Sequence, residues 1–334
     1  MFIPQSYSLA VILCFITMLC WGSWANTQKL ASRKWAFQLF YWDYSLGIVL
    51  LTLIFGITLG SSGGYGRSFI DDLLQGDTRS FLSAFLGGVI FNIANLLIVI
   101  AIDIAGMAVA FPIGIGLALV IGVVVNYLAT PVGNPWFLFI GVGLVVLAII
   151  LDALAYRRMS ANQQIKPARG ILLSLAGGIL MGFFFRFVAA SMSSNFQTPA
   201  NGLYTPYTAV FVFSIGLFFS NFLWNSIFMY KPVNGTPVTY GDYFKSGDLK
   251  LHLIGILGGV IWCIGMSLSL IASEKAGFAI SYGLGQGATM VAAAWGVFIW
   301  KEFRNGPKGT NLLIWLMFIS FITGLVSIIY SRLA

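Results

Sequence analysis

Apolar positions along this chain come in ten runs of about 20 residues, the length a helix needs to cross a bilayer. The runs cover 7–29, 38–60, 80–102, 105–127, 135–156, 170–192, 205–230, 250–272, 277–300 and 310–331. Gaps at 103–104 and 273–276 are so short that the helices on either side must run antiparallel. The longest gaps, 61–79 and 231–249, carry Gly, Asp and Lys and read as loops. The pattern predicts an all-α integral membrane protein of ten transmembrane helices, with no gap large enough for a separate soluble domain.

One segment occurs twice. Residues 87–120 and 258–291 align without a gap at an offset of 171, with 14 of 34 positions identical. Both copies open Gly-Gly-Val-Ile, at 87 and 258, and pass through an Ala-Gly pair at 105 and 276. Both then enter a glycine ladder, Gly114 and Gly116 against Gly285 and Gly287. Each copy belongs to a five-helix unit, which divides the chain into a first membrane repeat at 1–156, a short linker at 157–169 and a second repeat at 170–334. Five is odd, so the second unit enters the membrane from the opposite side. A 5+5 inverted repeat of this kind provides a route to alternating access, because exchanging the conformations of two halves moves the opening of a central cavity across the membrane.

Composition places the chain in lipid. Apolar residues make up 59% of 334 positions and charged residues 8%, about a third of the usual charged share. The net charge of +8 sits in short gaps between spans, which is a membrane-orientation signal rather than a nucleic-acid surface. Alternate gaps hold thirteen Lys and Arg on one side and four on the other, so both termini are expected outside a cell (inner) membrane. The first six residues carry no basic residue ahead of the apolar run, which argues against a cleaved signal peptide. Cys14, Cys20 and Cys263 all fall within spans and imply neither a disulfide framework nor a metal site.

Polar side chains inside the spans are the candidates for chemistry, since lipid makes them costly. Asp43 lies a few residues into the second span, where a carboxyl can shuttle a proton; its bland alternative is an interfacial carboxylate touching Lys34 or water. Arg186, deep in the sixth span, must face a cavity, a carboxylate such as Asp43, or the carbonyls of a broken helix. Asn92 and Asn95 share a face near the middle of the third span, where amides bind a polar solute or join helices. Gln286 interrupts Gly283-x-Gly285-x-Gly287 in the ninth span, a weakened helix suited to lining a site. Trp21 lies deeper than the interfacial aromatics and is placed to stack on a flat ring or a sugar face. Asp152, beside Arg157 and Arg158, reads as half of an interfacial ion pair.

Several stretches resemble a known family. Leu19-Cys20-Trp21-Gly22-Ser23-Trp24 resembles the opening of the glucose/ribose porter and ureide permease branches of the drug/metabolite transporter superfamily. Trp42-Asp43-Tyr44-Ser45, Gly87-Gly88-Val89-Ile90 leading to Asn95-Leu96, Val125-Asn126-Tyr127 and Trp300-Lys301-Glu302-Phe303 extend that likeness, to the ureide permeases in particular. The resemblance implies a proton-coupled importer of allantoin, uracil and related oxo-heterocycles, with Asp43 at the permeases' matching acidic position. It ranks these ahead of the monosaccharides, such as glucose, ribose and rhamnose, carried by sister branches. Unlike permeases with a long central loop and a nucleotide-binding-like motif, this chain has only 157–169 there and no GxxxxGK[ST], which argues against direct use of ATP. The expected partners are a small polar solute, protons and the bilayer, with no cofactor, metal or nucleic acid; monomer and homodimer both stay open. An uncoupled channel or an exporter is a further alternative. An enzyme is disfavoured, because His252 is the only histidine and no metal-ligand cluster is apparent.

Overall fold

The computed structural model describes residues 1–32, 35–159, 167–233, 235–304 and 306–334. Arg33, Lys34 and most of the linker, 160–166, therefore lie outside the described residues. The chain is helical nearly throughout: α1 (Tyr7–Ser23), α2 (Ala25–Ala31), α3 (Phe37–Ile57), α4 (Phe69–Gln75) and α5 (Thr78–Ala105) form its first third. Then come α6 (Met107–Ala110), a π-helical turn (Phe111–Ile115), α7 (Gly116–Ala129), α8 (Pro135–Met159) and α9 (Pro167–Ala190). The remainder is α10 (Pro206–Tyr230), α11 (Tyr240–Ser246), α12 (Leu249–Ala276), α13 (Phe278–Gly285), α14 (Ala288–Ala294), a second π-helical turn (Trp295–Ile299) and α15 (Thr310–Tyr330).

Among the described residues nine helices, not ten, are long and apolar enough to cross a membrane. The missing one is the expected span 277–300, which breaks at Gln286-Gly287 into α13 and α14. Three glycines at alternate positions weaken the helix there, and the Thr289 hydroxyl donates to the Gln286 carbonyl at 2.9 Å. The matching span of the first half is interrupted as well, with a π-helical turn around Pro112, which lacks an amide donor.

Local devices recur in the two halves at the repeat spacing. Ser68 caps α4 and Thr239 caps α11; Asp77 caps α5 and Asp248 caps α12. Gly106 (φ 75°) and Gly277 (φ 86°) adopt the left-handed region at the sharp turns after α5 and α12, a conformation that glycine adopts without strain.

Close helix crossings join the two halves at two matching places. A Cβ on Gly88 of α5 would overlap the Phe213 carbonyl of α10, and one on Gly216 of α10 would overlap the Phe85 carbonyl of α5. At the matching place, Gly259 of α12 sits on the Tyr44 carbonyl of α3, and Gly47 of α3 on the Ile256 carbonyl of α12. These glycines let backbones approach closely where lipid offers no hydrophobic drive to association. Between α3 and α10, Thr52 meets Ser214 at 2.9 Å and the Asn221 amide donates to Ser45 at 3.2 Å.

The two ends of the bundle are fastened differently. At the end holding residues 61–77, the Arg67 guanidinium donates to Asp72 at 2.9 Å and to the carbonyls of Pro199, Ala200 and Leu203 at 2.6–3.0 Å. Asp72 also accepts from the Thr205 amide at 2.7 Å. At the opposite end, Lys29 pairs with Glu302 at 2.6 Å, and Tyr156 donates to the same carboxylate at 2.7 Å.

Candidate functional site

A cavity of about 210 Å³ opens at the centre of the bundle, between α1, α2, α5, α9, α12 and α14. It is smaller than the roughly 300–1,000 Å³ of drug-sized sites, so it suits a solute of one or two small rings. Its walls are aromatic: Trp21, Trp24, Phe91, Phe184 and Trp262. Trp21 and Trp262 lie nearly parallel, at 15° with centroids 6.0 Å apart, and Phe91 packs on Trp262 at 4.5 Å. The Trp21 indole donates to the Trp262 carbonyl at 3.2 Å, which locks α1 to α12 at this level. A side chain on Gly265 or Gly285 would collide with Trp21, so these glycines create the slot that its ring fills.

The polar equipment of the cavity is amide and hydroxyl: Gln28, Asn95, Gln286 and Thr289. Among the described residues none that lines it is charged. The Asn95 amide donates to the Tyr41 hydroxyl at 3.1 Å, which leaves its carbonyl for a guest. The side-chain amides of Gln28 and Gln286 have no hydrogen-bond partner among the described residues. A carboxamide donates and accepts at once, the complement of a cyclic amide or imide.

Three of the residues expected from sequence thus meet in one place: Trp21, Asn95 and Gln286. Asn92 lies apart from them. Its amide donates to the Leu217 carbonyl at 3.1 Å and to Ser220 at 2.9 Å, joining α5 to α10. Arg186 is half-buried on α9, lines no part of the cavity and has no ion-pair partner among the described residues. Asp152 does not form the expected ion pair: it is buried, while Arg158 donates to the Lys308 carbonyl.

Asp43 forms a second centre, at the Lys29 end of the bundle. One carboxylate oxygen accepts from the Tyr243 hydroxyl of α11 at 2.5 Å, and the other faces His252 Nδ1 of α12 at 2.9 Å. Arg186 does not supply its partner among the described residues, and Lys34 lies outside them. Tyr243 lies on the loop helix α11, and burial together with the Asp43 carboxylate pushes its phenol up, so it remains a donor. Sequence reasoning missed His252 and Tyr243 because they lie 209 and 200 positions from Asp43, and no periodicity links them. The available signal was that His252 is the sole histidine.

The amide lining carries a prediction. Gln286→Leu keeps the bulk and removes both hydrogen-bonding functions, and it is expected to weaken solute binding by about tenfold, the scale of one or two lost hydrogen bonds. Quenching of intrinsic tryptophan fluorescence, with Trp21 and Trp262 in the wall, measures this. Unchanged affinity would remove Gln286 from the site.

The family model described as ureide permease matches residues 40–170 and 167–331. Similar proteins include Ureide permease 2 of Arabidopsis thaliana, 24% identical with 99% of each chain covered. Ureide permease 1 of the same plant is 22% identical over 99% of each. Probable ureide permease A3 of Vigna unguiculata is 22% identical, covering 92% of this chain and 99% of its own. Among solved structures, one protein crystal structure superposes with a TM-score of 0.60 at 13% identity over 96% of both chains, a likeness of fold.

Proposed function

The chain belongs to the ureide permease family, and from that premise we propose that it is a secondary active carrier importing a neutral, ureide- or nucleobase-like oxo-heterocycle with protons. Its relatives are named permeases, which are transporters and not enzymes. The observation that carries the substrate reading is the central cavity itself. Two parallel indoles suit a flat ring, unpartnered amides suit its N–H and C=O groups, and no charged residue among those described awaits an ionic group. Trp21, Asn95 and Gln286 are the proposed binding residues. Asn92 acts behind them by holding α10 against α5, and Arg186 stays a candidate for attracting carbonyl-rich solutes on their way in.

The units 1–156 and 170–334, joined through 157–169, are the proposed moving halves of alternating access. Support comes from the paired caps, which recur in both halves, and from the crossings at Gly88/Gly216 and Gly259/Gly47, which join the two halves at matching places. The fastenings around Arg67 and around Lys29–Glu302 are the closures of the two ends. The excess of Lys and Arg at the Lys29 end supports a cytoplasmic placement for it in the cell membrane, with both termini outside. Asp43 is the proposed coupling carboxylate. The carrier works as a monomer or a homodimer.

Uptake into proteoliposomes under an imposed pH gradient tests the proposal, with allantoin, uracil, glucose and rhamnose compared. Accumulation of allantoin or uracil driven by acid outside, and its reduction by about tenfold in Asp43→Asn, is the expected result. Preference for a sugar would replace the heterocycle. Accumulation that survives Asp43→Asn would take that residue out of the coupling step.

A further inference from the structure

On the premise that the chain is a proton-coupled carrier, the remaining question is where the proton resides. Asp43 is ill placed to exchange it with water directly, because its side chain is 2% exposed, whereas that of His252 is 24% exposed. We propose that Asp43 and His252 form a single proton-binding dyad, with His252 as the group that meets water and Tyr243 as the tether that transmits the dyad's state to α11.

The surroundings of the dyad are built to hold it. Gly255 of α12 leaves the space that the Asp43 side chain occupies, and Gly247 leaves the space for His252 Nε2. Trp35 stands edge-on to the imidazole at 4.9 Å and stacks on Tyr243 at 5.7 Å. His252 Nδ1 is committed to the carboxylate, so Nε2 is the nitrogen that gains or loses the proton. With Nε2 protonated, imidazolium and carboxylate neutralise each other and Nδ1–H keeps its bond to Asp43. With Nε2 bare, one uncompensated negative charge remains, held by two neutral donors, in a setting where that charge is costly.

No other charge among the described residues is aimed at the pair. From α2, Lys29 is taken by Glu302. From α11, Asp242 holds the Thr239 cap and Lys245 is exposed; from α12, Asp248 caps the helix at Leu251 and Lys250 is exposed. At this level α10 presents Asn221 and Asn225, which do not titrate. On α3 itself, Tyr41 and Tyr44 are buried, and Tyr41 is bonded to Asn95.

That last contact links the dyad to the solute. Tyr41 is two residues from Asp43 and holds Asn95 of the cavity, and Trp262 of the cavity wall stands ten residues beyond His252 on α12, about 15 Å along the helix. A shift of α3 against α12 on proton gain or loss therefore reaches both walls of the solute site.

The test uses full-length protein in proteoliposomes with acid outside and labelled allantoin or uracil. His252→Gln is expected to cut gradient-driven accumulation by about tenfold and flatten its pH profile, and adding Asp43→Asn should cost nothing further, as for two members of one unit. Lys245→Ala, on the same loop but away from the dyad, should behave as wild type. His252 is the only histidine, so diethylpyrocarbonate offers a check that needs no variant: modification of one histidine per chain should abolish accumulation. Should His252→Gln accumulate solute like wild type with an unchanged pH profile, or the modified protein remain coupled, the dyad is wrong. Wild-type protein that moves none of these solutes overturns the carrier reading itself.

Discussion

Arg67→Ala is expected to destabilise the folded protein by about 3 kcal/mol, the lower end of the range for breaking a buried ion pair from one side. Arg67 makes four charge-assisted contacts, and its 20% exposure is what keeps the effect at that lower end. Its partner Asp72 is wholly buried and would be left as an uncompensated charge. The three carbonyls belong to the 199–203 segment, so the same change also frees the 61–77 loop from the opposite half of the chain. Thermal melting in detergent should show a drop of roughly 5 °C or more. The double variant Arg67→Ala/Asp72→Asn should recover part of it, because the stranded charge is gone while the new carboxamide can still accept from the Thr205 backbone amide through its carbonyl oxygen. A single variant that melts with wild type would show that the guanidinium is not what holds this end.

The second large effect is expected at a helix crossing. In Gly259→Ala the new methyl group falls on the Tyr44 carbonyl and close to the Ile48 amide nitrogen. Both obstacles are backbone, so no side chain can swing aside and α12 must move away from α3. Overpacking of this kind costs about 1–3 kcal/mol or more, and here it also disturbs the helices that carry Asp43, His252 and Trp262. Gly259→Ala should lose the monodisperse peak on size-exclusion chromatography in detergent, and Gly88→Ala at the matching crossing should do the same. Gly143→Ala, where a Cβ meets nothing within 4 Å, should elute as wild type. Normal elution and melting of Gly259→Ala would mean that the close crossing is not needed.

Much of the fold is legible in the sequence because lipid imposes strong rules. Ten apolar runs predict the helices, and nine long ones are present among the described residues; the tenth breaks where glycines and Gln286 already mark weakness. Depth and residue type single out Trp21, Asn95 and Gln286, and these meet at one cavity. The same criteria select Asn92 and Arg186, which lie outside it, because depth does not say which way a helix face points. The glycine ladder on its own fits flexibility and close packing equally well. Its use in the folded chain is specific: Gly285 of the ladder, together with Gly265 of α12, clears the slot for Trp21.

By itself the amino-acid order determined the solvent, the helices, the duplication and the family, since each follows from local composition or from comparison along the chain. Tertiary structure alone decided which faces turn inward, that Asp43 meets His252 and Tyr243, and that Arg67 clasps residues beyond 198. Those pairings join groups 130 to 210 positions apart, and only the packing of helices brings them within hydrogen-bonding reach.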